Sequence, residues 1–422
     1  MKKNILVFPC GSEIGLEVNR ALSDSAHFTL FGGSSIDDHG KYVYNNYIAN
    51  IPFVESLNFV DEINKIIEKY SIDFIIPAHD SVVLKMSESQ DILNAEVVTS
   101  CTETCKVCRS KANTYKLFEG IIPVPKTQKV DENITLPIFL KPDIGQGSKG
   151  TYIVNTIVEI EHYLKEDPTL LALEYLPGKE YTVDCFTDKN GVLLFAEGRE
   201  RKRIQNGISV NTQKTINPRF QEIARIINKT LLFQGVWFYQ VKERSSKELV
   251  LLEIAPRIAG SMGLFRVEGV NFIQLSLYDR MGIDLNIIYN DLNVEMDRAL
   301  SSKFIINYNY NYVYIDFDDT LITNNSVNIN VIKFIYQAKN MKKRIILLSK
   351  HSGNIQNSLD KFSVSSLLFD EIIILKTYEH KYDYIKRLDA VFIDDSFAER
   401  KEVFDKHHIP VFSLDGIEAL II

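Results

Sequence analysis

Two separate stretches of this chain alternate short apolar runs with segments of helical periodicity, and this alternation constrains the fold more than any other feature. The first stretch contains the runs NILVFP, FTLFGG and FIIPAHD, with helical segments such as VDEINKIIEKYSID between them. The second stretch contains five runs, which are YVYIDF, RIILLS, EIIIL, AVFIDD and VFSL. Buried strands that alternate with helices form parallel, doubly wound sheets. We therefore predict an α/β domain at each end of the chain.

The segment between these two stretches has a different texture. At 422 residues the chain is too long for one hydrophobic core. From about residue 106 a helix leads into IIPVPKT, and short strands with Gly-rich turns follow, which is typical of an α+β fold. A polar joint, INYNYNY, ends at residue 312. The predicted segments are a Rossmann-like domain at 1–105, an α+β domain at 106–300, a linker at 301–312 and a second Rossmann-like domain at 313–422.

Composition limits the partners that this chain can have. A formal net charge of −7 gives no general attraction for nucleic acid or anionic lipid, so we expect neither as a partner. The initial apolar run stops at Pro9 and Gly11, unlike a signal peptide, and no run approaches the roughly 20 residues that cross a bilayer. Five cysteines, an odd number, favour a reducing cytoplasm over a disulfide framework. Small-molecule substrates are the expected partners.

A glycine-rich turn follows a short strand in IFLKPDIGQGSKGTYIV, residues 138–154. Glycines let backbone N–H groups approach phosphate oxygens, and lysines add positive charge. The pattern alone also suits an ordinary Gly-rich hairpin. The candidate phosphate-binding residues are Lys141, Gly145, Gly147, Ser148 and Gly150.

Polar residues also occupy strand positions further along the chain. LALEYLPGKEYTVDCF places Glu174 at a strand end and Glu180 six residues later, which would suit an adenine edge and a ribose. GVWFYQVKE carries Gln240 and LVLLEIAPRIAGS carries Glu253. Neighbouring antiparallel strands would bring these last two together as oxygen ligands for Mg²⁺. Each residue taken alone is equally well explained as a solvated strand or loop residue.

In this order the motifs resemble those of the ATP-grasp superfamily, over roughly residues 1–298. The resemblance implies two α+β lobes that hold ATP, phosphorylation of a carboxylate to an acyl phosphate, and displacement of the phosphate by an amine. The nucleotide ligands that it implies are Lys111 and Lys141 at the phosphates, the 145–150 loop above them, Glu174 and the Leu176 backbone at adenine, and Glu180 at the ribose.

The same resemblance implies that Gln240 and Glu253 bind Mg²⁺ and that Arg257 neutralises charge on the reacting carboxylate and phosphoryl groups. One departure stands beside them, because the family usually has E-x-N-P-R where this chain has E-I-A-P-R. Ala255 cannot bind a metal. Either one Mg²⁺ is held by fewer protein ligands and more water, or the site has lost its activity.

A basic run, GRERKRIQNGIS, occupies residues 198–209. It is explained either as a solvated face or as a substrate site, since similar ligases place an R-x-R segment and a following Gly-Ile/Val-Ser near the substrate. Arg199, Arg201 and Arg203 would then bind an anionic group, and alternation along a strand would point all three to one side. Ser261, in PRIAGS, is a further substrate candidate.

The stretch CTETCKVC, residues 101–108, has the spacing CxxxCxxC, which can hold an iron–sulfur cluster. The resemblance makes this segment a helix, on which Cys101, Cys105 and Cys108 share one face. That stripe spans roughly 10 Å along the helix axis, whereas the thiolates of one cluster converge from a wrapping loop. We expect small cysteines packed on a helix face and no cluster.

In the C-terminal stretch, acidic pairs end two of the predicted buried strands. VYIDFDDTLITNN places Asp316 and Asp318 after the first strand, and VFIDDSFAERK ends a later strand with Asp394 and Asp395. Sites of α/β proteins form at such carboxyl ends. One carboxylate can attack phosphorus while another shuttles a proton, and Mg²⁺ suppresses their repulsion. The alternative explanation is that the aspartates only cap helices.

The order Asp-x-Asp-x-Thr, then Ser, Lys and Asp-Asp resembles the haloacid dehalogenase superfamily of Mg²⁺-dependent phosphatases, over residues 310–422. The implied roles are Asp316 as nucleophile, Asp318 as acid/base supported by Thr320, Ser349 and a lysine on the phosphoryl group, and Asp316, Asp318, Asp394 and Asp395 around the metal. The lysine is Lys381 or Lys376, and Lys381 is preferred because it opens a helix. Only 32 residues separate Asp316 from Ser349, too few for a separate cap domain, so an open site is expected.

The two resemblances together predict a bifunctional cytoplasmic enzyme that uses ATP and Mg²⁺. It would join a carboxylate to an amine and remove phosphate from a related phosphorylated metabolite, and it could act as a homodimer. A second interpretation is a small-molecule kinase paired with a phosphatase. A third, if Ala255 marks a dead site, is an ATP-binding module that regulates the phosphatase.

Overall fold

The chain forms two compact units, residues 1–300 and 301–422, in a computed structural model. This structure describes residues 2–128, 130, 134–145, 147–290, 292–301, 304, 306 and 308–421. Ser302, Lys303, Ile305 and Asn307 of the predicted linker, and Gln146 of the predicted phosphate loop, lie outside the described residues. None of the described helices has the length and apolar character that a bilayer span requires.

The first unit begins with a parallel sheet flanked by helices. Its elements are β1 (Lys3–Phe8), α1 (Glu13–Leu22), β2 (Phe28–Gly33), β3 (Asn46–Ile48), α2 (Phe59–Tyr70), β4 (Phe74–Pro77), α3 (Asp80–Glu88) and β5 (Glu96–Val97). The strand order is β3-β2-β1-β4-β5 and every neighbouring pair is parallel. The parallel sheet predicted from the alternating pattern is confirmed. The direction in which successive strands are added to the sheet reverses between β1 and β4. The loops that follow these two strands therefore border a crevice.

Two antiparallel sheets complete the first unit. The elements are α4 (Thr102–Arg109), α5 (Lys111–Phe118), β6 (Ile138–Lys141), β7 (Tyr152–Val154), α6 (Ile157–Glu166), β8 (Leu171–Glu174), β9 (Glu180–Thr187), β10 (Leu193–Gln205), β11 (Ile208–Thr215), α7 (Pro218–Thr230), β12 (Gly235–Glu243), β13 (Leu249–Ala255), α8 (Gly263–Arg266), α9 (Phe272–Arg280) and β14 (Glu295–Asp297). A three-stranded sheet, β7-β6-β8, forms a small lobe, and a six-stranded sheet, β13-β12-β9-β10-β11-β14, forms a large one. The predicted two-lobed α+β arrangement is confirmed.

Helix α7 packs closely against β10, the strand that carries the basic run. The Asn217 side chain accepts from the Arg219 N–H at 3.0 Å, and Pro218 occupies the first helical position, where no N–H donor is needed. Phe220 is fully buried beneath the large sheet. A Cβ on Gly198 would lie 2.3 Å from the Phe220 ring, so only glycine lets β10 approach this closely. Arg199 follows immediately and is drawn into the interior with the strand.

The second unit is again a parallel sheet with helices. Its elements are β15 (Tyr312–Ile315), β16 (Ile322–Thr323), β17 (Ser326–Val327), α10 (Ile329–Asn340), β18 (Arg344–Ser349), α11 (Ile355–Lys361), β19 (Glu371–Ile374), β20 (Ala390–Ile393), α12 (Phe397–His407) and β21 (Val411–Phe412). The order β19-β18-β15-β20-β21 is parallel throughout. The central strands β15 and β20 are almost wholly buried, as their unbroken apolar runs predict. Between β15 and β18, the described residues form only a small hairpin, β16-β17, and helix α10.

Candidate functional site

A row of polar side chains crosses the large sheet of the first unit. Pairing of the antiparallel strands aligns Glu253 of β13 with Gln240 of β12, and Gln240 with Thr182 of β9. Thr182 is aligned in turn with Arg199 of β10. Directly paired residues lie on the same face of a sheet. The predicted adjacency of Gln240 and Glu253 is confirmed.

A second row lies two residues further along on the same face. Here Lys242 is aligned with Glu180, and the Lys242 ammonium lies 3.4 Å from the Glu180 carboxylate. The Arg201 guanidinium contacts the same carboxylate, donates to the Gln240 side-chain oxygen at 2.8 Å and donates to the Gly207 carbonyl at 2.7 Å. Arg201 thus reaches over β9 and links the two rows.

Three cavities that share lining residues lie over these rows. A small, largely apolar cavity of about 100 Å³ is lined by Pro125, Phe139, Lys141, Ile153, Leu173, Glu174, Tyr175, Leu176, Glu180, Lys242 and Leu252. A middle cavity of about 120 Å³ shares Phe139, Lys141 and Glu180 with it. The middle cavity shares Lys111, Gly145, Gly147, Arg201, Gly207, Gln240 and Glu253 with a large cavity of about 300 Å³. The large cavity also reaches Ser12 and Asp80, in the crevice of the N-terminal sheet.

The carboxylates expected at adenine and ribose already have protein partners. Glu174 accepts from the Lys126 N–H at 2.8 Å and from the Arg244 Nε at 3.1 Å. Burial acts to raise the pKa of Glu174, but these partners outweigh it and lower the pKa. Glu180 is held by Arg201 and Lys242, as described above. The nucleotide contacts of Glu174, Glu180 and the Leu176 backbone therefore stay predictions.

Two lysines line the middle cavity, as expected for phosphate ligands. Lys111 begins α5 and donates to the carbonyls of Asp143 at 3.1 Å and Gly145 at 3.3 Å. Lys141 ends β6, is buried, and lies 5.2 Å from the centroid of the Tyr115 ring. Burial lowers the pKa of Lys141 to about 8. Among the residues that the structure describes, no carboxylate is in hydrogen-bond contact with the Lys141 ammonium. A buried cation in this setting favours an anionic ligand beside it.

The glycine-rich loop rests against the turn between β10 and β11. Gly147, Gly150 and Gly207 all have positive φ, and Ser148 does as well. A Cβ on Gly207 would lie 2.3 Å from the Gly147 carbonyl carbon, so the two backbones meet where a side chain does not fit. This contact holds the loop over the middle cavity, which Ser148 and Lys149 also line.

The oxygen donors of the middle cavity fit one Mg²⁺. Within the described residues, the Glu253 carboxylate makes no hydrogen bond or ion pair and lies beside the Gln240 amide on the sheet. Ala255 lines the large cavity two residues further along β13 and offers no side-chain oxygen. Magnesium readily keeps several water ligands. One free carboxylate with water is therefore an adequate donor set for a single ion.

Arg257 lines the large cavity together with Asp80, a carboxylate that the sequence motifs do not indicate. Its Nε and Nη2 donate to the two oxygens of Asp80 at 2.6 and 2.8 Å, and its guanidinium lies 5.1 Å from the centroid of the Phe238 ring. Burial acts to raise the pKa of Asp80, but Arg257 outweighs it and lowers the pKa. Asp80 follows β4 in the crevice of the parallel sheet. Asp80 stands at the carboxyl end of the predicted strand FIIPAHD, and this position could have indicated a site residue.

Arg199 and Ser261 also line the large cavity, and both are buried. Arg199 Nε and Nη2 donate to Asp184 at 2.7 and 3.1 Å, whereas its buried Nη1 has no hydrogen-bond partner in the described residues. Burial raises the pKa of Asp184 even though Arg199 opposes the shift. Arg199 therefore presents one unsatisfied donor at the cavity.

The prediction that three arginines point to one side is wrong for Arg203. A β-bulge interrupts the pairing of β10 with β11 between Arg201 and Arg203, and this breaks the period-two alternation of β10. Arg203 is exposed and forms an ion pair with Asp297 of β14 at 2.7 Å. It does not line any of the three cavities.

The three closely spaced cysteines lie at helix α4. Cys101 is its N-cap residue, and Cys105 and Cys108 lie within it and line the large cavity. The helix itself is confirmed. Burial raises the pKa of the Cys105 and Cys108 thiols, so they are poor metal ligands. All five cysteines are free.

In the second unit, acidic side chains converge at the carboxyl ends of β15 and β20. Asp316 follows β15, and Asp394 and Asp395 follow β20, with ligand oxygens of all three within 4.8 Å of one another. Across the described residues this is the only group of at least three His, Cys, Asp or Glu side chains that could hold a metal ion. Carboxylate oxygens at such spacing suit Mg²⁺.

Lys381 lies between two of these carboxylates. Its ammonium is 2.8 Å from Asp316 and 2.6 Å from Asp394, and all three side chains are buried. It begins a 3-10 helix, whereas Lys376 is exposed on the loop before it. Ser349 ends β18, and its hydroxyl is buried at the same edge of the sheet.

Burial sets the direction of the pKa shift for the two aspartates of this cluster, and their charges set it for the lysine. Burial raises the pKa of Asp316, against the opposing effects of Lys381 and Ser349. It raises the pKa of Asp394 to about 6, with Lys381 opposing and Asp316 reinforcing the shift. Burial acts to lower the pKa of Lys381, but its two carboxylate partners outweigh it and raise the pKa. A buried lysine held in its charged form beside carboxylates is suited to bind a phosphoryl group.

Two expected contacts in this unit differ from the structure. The Asp318 side chain is outside the three-carboxylate group and instead lies 2.8 Å from Nδ1 of His351. Thr320 does not support Asp318, because its hydroxyl exchanges hydrogen bonds with Asp395 at 3.1 and 3.0 Å. His351, two residues beyond Ser349 in LLSKHSG, was missed because the motif gives no reason to select it.

Comparison with known proteins bears mainly on the first unit. Residues 166–297 match the family described as "ATP-grasp in the biosynthetic pathway with Ter operon". The D-alanine–D-alanine ligase of Petrotoga mobilis is 26% identical over 224 residues, which cover 47% of this chain and 74% of that protein. The 5-formaminoimidazole-4-carboxamide-1-(beta)-D-ribofuranosyl 5'-monophosphate synthetase of Pyrobaculum islandicum is 22% identical over 317 residues, or 71% and 93% of the two proteins.

A solved structure shares the same architecture. The biotin carboxylase domain dimer of Hydrogenobacter thermophilus 2-oxoglutarate carboxylase, in complex with MgADP, ADP and bicarbonate, superposes with a TM-score of 0.58 at 13% identity, over 69% of this chain and 72% of that one. The first unit therefore shares the mixed α/β fold of ATP-grasp proteins.

Proposed function

We propose that residues 1–300 form an ATP- and Mg²⁺-dependent ligase that joins a carboxylate to an amine through an acyl phosphate. The observation that carries this proposal is the continuity of the three cavities. The small apolar cavity opens into the middle cavity, which is lined by two lysines and the glycine-rich loop. The middle cavity opens in turn into the large cavity, which is lined by Arg199 and Arg257. The adenine of ATP would occupy the small cavity, the triphosphate the middle cavity and the carboxylate substrate the large cavity.

In this proposal the chain's own residues orient the reaction. Lys111 and Lys141 neutralise the phosphates, and Arg257 holds the acid so that its oxygen attacks the terminal phosphorus and ADP leaves. The amine then attacks the acyl carbon and inorganic phosphate leaves. Glu253 would hold Mg²⁺ together with water, and the bound ion would lower the charge repulsion between the triphosphate and the acid.

The fate of the nucleotide tests this proposal. Protein carrying Asp316→Asn, which silences the proposed phosphatase, would be mixed with ATP, Mg²⁺ and pooled amino acids and sugar acids, and the products weighed by mass spectrometry. ADP with a product lighter by one water than its two parents would support a ligase. ADP with only a phosphorylated compound would favour the kinase interpretation, and bound but intact ATP would favour the regulatory module.

For residues 301–422 we propose a Mg²⁺-dependent phosphatase. The supporting observation is the buried cluster of Asp316, Lys381 and Asp394 beside Asp395. Asp316 would attack phosphorus and release the alcohol, whose oxygen takes a proton from Asp318, and water would then hydrolyse the aspartyl phosphate. Asp316, Asp394 and Asp395 would hold Mg²⁺, which when bound offsets the repulsion between the carboxylates and the phosphoryl oxygens.

Phosphate release from a panel of sugar phosphates and p-nitrophenyl phosphate tests the second unit. Wild-type protein should release phosphate only with Mg²⁺, and Asp316→Asn should release none. The fusion also suggests that both units act on related compounds. Preferred substrates with no common part would contradict that link without contradicting either activity.

A further inference from the structure

The Gln240 side chain is expected at the metal site, yet its only oxygen is already taken by a cation. Arg201 Nη1 donates to Gln240 Oε1 at 2.8 Å. The guanidinium is fixed from other directions by Glu180 and by the Gly207 carbonyl. Its side chain is only 8% exposed. A metal ion bound at this oxygen would meet a held positive charge within hydrogen-bond distance of its ligand.

The neighbouring position on β13 cannot compensate for the loss of this ligand. Ala255 is where a further side-chain oxygen would face the cavity, two residues after Glu253 on the same face. Glu253 is the only carboxylate of the middle cavity that makes no hydrogen bond or ion pair within the described residues. The donor set therefore suffices for one divalent ion and is poor for a second.

The charges of the middle cavity are consistent with one ion. Its lining holds four cationic side chains and two carboxylates, which gives a net charge of +2. The cations are Lys111, Lys141, Lys149 and Arg201, and the carboxylates are Glu180 and Glu253. A nucleoside triphosphate carries about four negative charges near neutral pH. One divalent ion brings the sum of ligand and lining close to zero, and a second would leave a net positive charge.

We propose that the Arg201 guanidinium takes the place of a second metal ion, so that this site binds a nucleoside triphosphate with one Mg²⁺ held at Glu253. Arg201 would neutralise the charge of the triphosphate oxygens that lie next to Gln240 in the middle cavity. Because its contacts are already formed, it needs little reorganisation when the nucleotide arrives. This inference rests on the nucleotide site proposed above.

Counting bound Mn²⁺, an ion with similar ligand preferences that electron paramagnetic resonance detects, tests the inference on the full chain. Titrations without nucleotide give the ions bound elsewhere, including those at Asp316, and are subtracted. Addition of a non-hydrolysable ATP analogue should then add one Mn²⁺ for each analogue bound. Two ions for each analogue would overturn the role of Arg201 but leave the nucleotide site intact. Absence of analogue binding would overturn both.

Substitution separates the charge of Arg201 from its packing. With Mn²⁺ equimolar to the analogue, Arg201→Gln should weaken analogue binding by at least about tenfold, because a charged hydrogen-bond donor is lost. Excess Mn²⁺ should restore much of the affinity, since the freed Gln240 oxygen can then accept a second ion. Lys202→Gln is the matched control, because Lys202 is the next cation on β10 but binds Gln213 and Glu295 outside the cavities. Equal losses in both variants, or no recovery with excess Mn²⁺ in a variant whose unfolding temperature is unchanged, would overturn the inference.

Discussion

Replacement of Asp394 by asparagine should stabilise the metal-free second unit while abolishing its proposed activity. Asp394 is fully buried, and its carboxylate shares Lys381 with Asp316. Burial raises the pKa of Asp394 from 3.8 to about 6. The folded state therefore disfavours the ionised form. Asparagine has nearly the same shape as the neutral carboxylic acid and removes the charge.

The magnitude follows from the pKa shift. A rise of about two pKa units lowers the free energy of unfolding by about 3 kcal/mol at neutral pH. Because the folded-state pKa lies above the ordinary value, this destabilisation is complete above roughly pH 6 and absent below about pH 4, where both states are protonated. Asp394→Asn should therefore gain up to about 3 kcal/mol at pH 7.5, or roughly 10 °C for a unit of this size, and nothing at pH 3.5.

The assay is unfolding in EDTA, followed by hydrogen exchange of the strands around Asp394. Trp237 is the only tryptophan and lies in the first unit, so its fluorescence reports separately on residues 1–300. Added Mg²⁺ should stabilise the wild-type second unit by about 2.7 kcal/mol at one hundred times the dissociation constant, and should stabilise the variant far less. A variant that is no more stable than wild type at pH 7.5 without metal would refute the reasoning.

Other substitutions test the remaining contacts. Lys381→Gln should lower phosphatase activity at least about a hundredfold, because a charge-assisted contact to the phosphoryl group is lost, whereas the exposed Lys376→Gln should change it less than about twofold in the same phosphate-release assay. Asp80→Asn should slow ADP formation about tenfold with little change in binding of the ATP analogue, because Arg257 loses its bidentate partner; an equal loss of analogue affinity would contradict this. Gly207→Ala should weaken binding of the analogue about tenfold, since its Cβ would meet the Gly147 backbone. Gly191→Ala is the matched control, with a similar positive φ and no atom within 4 Å, and a similar effect there would refute the clash.

Local periodicity was sufficient to predict the two parallel sheets, whereas the two lobes of the middle segment were implied by the family resemblance. The adjacency of Gln240 and Glu253 was also predictable, because two strands close in sequence pair directly. Arg203 was mispredicted because strict alternation carries no information about a bulge. The cause is local: an extra residue on β10 between Arg201 and Arg203 breaks the alternation of side chains at Arg203.

Long-range pairs lay beyond sequence reasoning for a different reason. Arg257 and Asp80 are 177 positions apart, and Arg244 and Glu174 are 70 apart. Nothing in the local pattern of either residue selects its partner. The motifs therefore indicate many of the residues that line the cavities, but they do not select Asp80 and do not show that several of the expected ligands are already paired with protein groups.

These pairings bear on how the first unit must work as a whole. Arg257 belongs to the large lobe, but its counter-ion Asp80 begins α3 beside the N-terminal sheet, and an arginine that is only 14% exposed is costly without a partner. The two parts also share one apolar core, in which Ile5 and Val18 pack in the same cluster as Phe238 and Phe265. The N-terminal segment is thus a structural part of the proposed site and cannot be treated as an independent module. Asp80, at the start of α3, accepts from two of the three guanidinium nitrogens of Arg257, and the Ile258 carbonyl accepts from the third. The N-terminal segment therefore fixes the orientation of Arg257 in the large cavity.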